Sequence, residues 1–101
     1  MTPAAVSEAF LQVAAQIEQR DKQQAVEKLL KQLHLDCQKL SEATQSKEIQ
    51  SSTAQVQQAL ETWLQVWPRL SSQDDFRLAV AREARLWSGR FTKMEDAWNR
   101  Q

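Results

Sequence analysis

An all-α fold, a small antiparallel up-and-down bundle of four helices in one domain over residues 1–101, is what this sequence predicts, and three observations predict it. Large apolar residues recur every three or four positions: Ile49, Val56, Leu60, Trp63 and Trp67, then Phe76, Val80, Trp87, Phe91, Met94 and Trp98. That is the spacing of one face of an α-helix, and all four tryptophans lie on it. One glycine and two prolines leave little material for tight turns. A chain of 101 residues is long enough for one core and too short for two.

The elements follow in order. Thr2 before Pro3 starts the first helix, because threonine caps free N–H groups and proline has no N–H to lose at the first helical position. Its stripe is Val6, Phe10, Val13 and Ile17. A second stripe, Val26, Leu30, Leu33, Cys37 and Leu40, is out of phase with it. Nine steps separate Ile17 from Val26, which at about 100° each puts the two stripes on opposite sides of a continuous helix. A hairpin near Arg20 and Asp21, with Asp21 as N-cap, restores a common core; three helices with a long kinked first one is the alternative.

A polar stretch then predicts a connection between Thr44 and Ser52, with Ser46 favoured over Ser52 as the cap of helix three because it lets Ile49 join the helix. Helix three should end near Pro68, since the residue before proline is pushed out of the α region. Ser72 with Asp75 reads as a capping box, and helix four should run to about Asn99. In this layout the hairpin of helices three and four supplies most of the core, since each of its aromatic rings can bury about 150 to 250 Å².

Composition excludes several function classes. Lysine plus arginine and aspartate plus glutamate both number 13, so the formal net charge is zero, which argues against long-range attraction to nucleic acid or to an anionic membrane. A single cysteine forbids an intramolecular disulfide. Residues 1–16 lack the basic start and apolar run of a signal peptide, and no apolar run reaches the length of a membrane span. The expected compartment is the cytoplasm. Glutamines such as Gln16, Gln19, Gln55, Gln57 and Gln58 give the helices neutral polar surfaces.

Two residues invite catalytic readings. Cys37 lies on the helix-two stripe, where a free thiol acts as a small apolar filler, and His34 is three residues away on the same helix. A Cys–His dyad would need a third residue and a glycine-rich oxyanion site, and neither accompanies it. In size and class the chain resembles histidine phosphotransfer domains, which carry one phosphoacceptor histidine on a helix. After His34, however, Cys37 and Gln38 stand where that family places lysine and glycine, so no function is carried over. Trp87-Ser88-Gly89 similarly resembles the Trp-x-Gly signature of small secreted helical-hairpin proteins, but there it forms the central turn and here the apolar ladder continues through it. No catalytic, metal or cofactor residue is expected.

Helix four holds the remaining candidates. Arg82, Arg85, Lys93 and Arg100 fall in the sector opposite the tryptophan ladder, with Gly89 between them. Asp96 shares that sector and no aromatic residue interleaves for base stacking, so a solvated face is favoured over a nucleic-acid surface. Leu78 points away from the ladder and Leu86 to its side, a pattern that suits helix-on-helix binding. Glu83 and Arg90 should face the core side and pair with other helices, and Trp98, near the end of the chain, is the ring best placed to serve as an exposed anchor. The expectation is a non-enzymatic protein-binding module, an adaptor, small chaperone or self-associating bundle, that uses Leu78, Arg82, Arg85, Leu86 and Trp98. The alternative is a nucleic-acid-associated or regulatory protein using the basic face.

Overall fold

Threonine and proline act at the first helix start as the sequence requires. Thr2 is extended, its Oγ1 accepts a hydrogen bond from the Ala5 N–H at 3.2 Å, and Pro3 is the first helical residue. In the computed structural model, which describes residues 1–19 and 23–100, the order is α1 (Pro3–Glu18), α2 (Gln23–Ala43), α3 (Lys47–Leu70), α4 (Asp74–Lys93) and a single-turn α5 (Glu95–Asn99). The hairpin expected at Arg20 and Asp21 lies outside the described residues. Because α1 is capped at Gln19 and α2 begins anew at Gln23, four long helices form rather than three.

The predicted stripes meet in one core. Val6, Phe10, Val13 and Ile17 of α1 are buried together with Val26, Leu30, Leu33, Cys37 and Leu40 of α2. Ile49, Val56, Leu60 and Trp67 of α3 and Val80, Trp87 and Phe91 of α4 complete it, with Trp63, Phe76 and Trp98 partly buried at its margins. Helix three starts at Lys47 because Ser46 caps it, accepting from the Ile49 N–H at 3.4 Å, and so Ile49 is drawn into the core. The bundle measures 42 × 20 × 18 Å.

The closely packed helices run in opposite directions, as partner residues show. His34 of α2 meets Glu61 of α3, and the residues that follow, Gln38 and Glu42, share a groove with the residues that precede, Gln57 and Ala54. Along α1, Ala4 contacts Glu95, Ser7 contacts Ser88 and Thr92, and Glu18 contacts Arg85, so residue numbers fall on one side as they rise on the other.

The closest helix pairs are α1 with α4 and α2 with α3; α3 and α4 barely approach each other. This corrects the expectation that the α3–α4 hairpin supplies most of the core, and side-chain size explains it. Helix axes come near each other only where the residues between them are small. On its α1-facing side α4 carries buried Ala81, Ala84 and Ser88, and α1 answers with buried Ser7 and Ala14. Ser7 Oγ donates to the Ser88 carbonyl at 3.0 Å and lies 2.8 Å from both Ser88 Oγ and Thr92 Oγ1, so the hydroxyls buried by that approach satisfy one another. Rings lie on both sides of α4: Phe91 stacks on Phe10 of α1 with centroids 6.0 Å apart, and Phe76 meets Trp67 of α3 at 5.8 Å.

Four local expectations are corrected. Helix α3 runs past Pro68 to Leu70, because a proline in the last turn removes one hydrogen bond there and Trp67, fixed in the core, keeps helical geometry with its carbonyl bonded to the Ser71 N–H at 2.9 Å. Ser72 does not cap α4: the N-cap is Gln73, with no side-chain bond, and Asp74 and Asp75 instead place negative charge on the helix's first turn. Helix four stops at Lys93, and Met94 separates it from α5, whose Glu95 carboxylate accepts from the Ala4 N–H at 2.9 Å. That bond satisfies a free N–H of the α1 start. Finally, Glu83 and Arg90 are exposed rather than turned to the core, and the Arg90 guanidinium lies over the Trp87 ring, 4.5 Å from its centroid.

Candidate interaction surface

Helix α4 is held by its inner side and free on its outer one. Successive residues turn by about 100°, so the buried positions Val80, Ala84, Trp87 and Phe91 leave Leu78, Arg82, Arg85, Gly89 and Lys93 grouped on the opposite side, with Leu86 at its edge. Leu78 is 53% exposed and Leu86 54%, among the most exposed large apolar side chains of the molecule. Arg82, Arg85 and Lys93 are exposed around them. Helix α1 continues this surface with Leu11, 39% exposed, and with Glu18, whose Oε1 accepts from Arg85 Nε at 3.1 Å. That ion pair is open to solvent on both sides and adds little to stability.

Four of the five predicted contact residues, Leu78, Arg82, Arg85 and Leu86, are thus brought onto one stretch of α4. Trp98 is apart from them on α5, half-buried with its ring packed against the core, so only its outer edge is open. Arg100 lies beyond the break at Met94, as the C-cap of α5, its Nε donating to the Asp96 carbonyl at 3.3 Å. Gly89 marks no close contact, since a Cβ there would meet nothing within 4 Å.

A second surface lies between α2 and α3. His34 Nε2 and Glu61 Oε1 are 3.0 Å apart across it, with Gln38, Ser41 and Glu42 facing Ala54, Gln57 and Gln58 along a shallow polar groove. Next to it Leu35 is 52% exposed beside Lys31 and Leu64. Sequence reasoning missed Leu11 and Leu35, and the signal for both was present: each sits one or two positions off its helix's buried stripe.

Cys37 and His34 do not form a reactive pair. The thiol is buried, and desolvation, helped by the negative charge of Asp36, pushes its pKa up from 9.0 to about 12. It therefore carries no thiolate at neutral pH, the form a nucleophile needs. His34 makes its hydrogen bond to Glu61 on the neighbouring helix instead. Among the described residues, no group of three or more histidine, cysteine, aspartate or glutamate side chains is placed to hold a metal ion, and no helix is long and apolar enough to cross a membrane. No protein-family model, curated protein or solved structure matches this chain.

Proposed function

We propose that this protein is a non-enzymatic binding module, an adaptor, small chaperone or self-associating bundle, that engages a protein partner through the outer face of α4. The observation that carries this reading is the pairing of Leu78 and Leu86, both more than half exposed, with Arg82 and Arg85 on the same helix face. Apolar anchors ringed by charged side chains are what a helix needs to seat against another helix: the leucines supply desolvated contact and the arginines supply orientation and partner choice. The close α1–α4 seam supports it further, since a helix whose inner side is fixed by small residues presents a rigid outer side at low entropic cost. Trp98, half-buried on α5, would be a contact separate from that face.

The alternative, a nucleic-acid-associated or regulatory protein, draws on one feature, the exposed row Arg82, Arg85 and Lys93. Comparative capture separates the two. Cell extract is passed over the wild-type chain and over Leu78→Asp, Leu86→Asp, the double charge reversal at Arg82 and Arg85, and Leu35→Asp as an equally exposed control. The protein-binding reading expects Leu78→Asp and Leu86→Asp to lose proteins that Leu35→Asp retains. Retention on heparin at moderate salt, lost on reversing Arg82 and Arg85 and unchanged in Leu78→Asp, would favour the alternative.

A further inference from the structure

Charge is divided between the two helices that share the outer face. The charged residues of α1 are Glu8 and Glu18, both acidic and both exposed. The outer sector of α4 between Leu78 and Lys93 holds Arg82, Arg85 and Lys93 and no acidic residue. Glu18 is met by Arg85 of its own chain, which leaves Glu8 on α1 and Arg82 and Lys93 on α4 as opposite charges open side by side on one surface, with Leu11, Ala15 and Leu78 between and along them, all exposed. A surface built this way is complementary to itself. A two-fold axis parallel to the bundle lays α1 of one copy over α4 of the other, so that acid meets base twice and each strip is used on both sides.

Resting on the helix-four reading, we propose that the partner this face fits is a second copy of the same chain, in an isologous dimer formed by the α1 and α4 outer surfaces. The helix register supports the pairing. Ser7 of α1 is level with Ser88 of α4, so the two-fold brings Glu8 of one copy close to the level of Arg85 of the other and turns Leu11 and Leu78 into the contact. The face is long enough: α1 has 16 residues and α4 has 20, about 24 and 30 Å at a rise of 1.5 Å per residue, so the two helices of a second copy can lie along them over most of their length. Small exposed residues, Ala15 and Gly89, let the two helix layers approach. The zero net charge of the chain imposes no long-range repulsion between copies.

The test is sedimentation equilibrium of the full chain over a wide concentration range, with circular dichroism to verify that each surface variant keeps its helicity. The wild type is expected to show a monomer–dimer equilibrium that weakens as salt is raised. Arg82→Glu should weaken it by about tenfold or more, and Glu8→Arg should do the same, each by putting a repulsion where opposite charges faced each other across the two-fold. Leu78→Asp should abolish the dimer. A wild type that stays monomeric, or a dimer indifferent to Leu78→Asp and Arg82→Glu, overturns the proposal. The helix-four reading fails separately: a monomer that still captures another protein, with capture lost in Leu78→Asp, removes only self-association. Loss of dimer and capture sensitivity together removes both.

Discussion

Toward α1, helix α4 turns Ala81, Ala84 and Ser88; toward α3 it turns Phe76 beside Trp67. The first set lets the helices close until serine hydroxyls touch, with Phe91 stacked on Phe10 in the same contact, and the second lies where the connection over residues 71–73 joins the two helices. Sequence adjacency does not decide the pairing. The helices joined by the short connection over residues 71–73 are the least engaged pair of neighbours among the four long helices, while α4 makes its extensive contact with α1, at the far end of the chain. Small residues thus set how near α1 and α4 come, and the Phe10–Phe91 stack fills the space beside them.

The largest effect should come from the ring on the α1 side of α4. Phe91 is fully buried, with its ring 6.0 Å from Phe10 and 6.2 Å from Trp87. Phe91→Ala is expected to cost about 3–5 kcal/mol by urea unfolding, whereas Trp63→Ala, at the half-buried α3 margin, should cost clearly less. Equal losses would mean that the α1–α4 side has no special weight. Next is overpacking of the seam. Ala84→Leu, at a fully buried site, is expected to destabilise by roughly 1–3 kcal/mol, while Ala79→Leu on the exposed side should leave the thermal midpoint nearly unchanged; if the two behave alike, the seam is not close-packed.

A smaller loss is expected from the hydroxyl cluster. Ser7→Ala removes the group that bonds both Ser88 and Thr92, and leaving a buried hydroxyl short of a partner costs about 1–3 kcal/mol. Because Thr92 Oγ1 keeps its own 3.0 Å bond to the Ser88 carbonyl, the effect should fall at the low end, read from the same urea curves. An unchanged midpoint would reduce the cluster to bystander status. Gly89→Ala is expected to move stability the other way, upward by up to about 1 kcal/mol in thermal unfolding, since alanine favours the helix and its Cβ meets nothing. A decrease would reveal a role for the bare backbone on the outer face.

How much of this was legible in the sequence depends on what kind of signal each residue sends. The apolar stripes, the Thr2 and Ser46 caps and the count of four long helices were readable, because periodicity and capping act within one or two turns. The partner of α4 was not, because the deciding residues, Ser7, Ala14, Ala81, Ala84 and Ser88, have no strong periodic signature of their own and act only across a distance of some eighty residues. Pro68 and Ser72 misled for a related reason: local preference set an end to α3 and a start to α4, while the burial of Trp67 set another. On the surface, the exposure of Leu78 and Leu86 followed from phase alone, whereas Glu83 and Arg90 are exposed because the buried side of α4 is centred on Ala84, Phe91 and Ser88 rather than on the ladder's tryptophan.

The central claim is that α4 has one closed side and one side kept for a partner, and site-specific photo-cross-linking tests it most directly. A photoreactive phenylalanine analogue is placed at Leu78, at Leu86 and, as a control of equal exposure on another helix, at Leu35, and the protein is irradiated in the cells that make it. Adducts of discrete mass at residues 78 and 86 and none at 35 are the predicted result. Adducts of equal yield at residue 35, or none at 78 and 86, would contradict it.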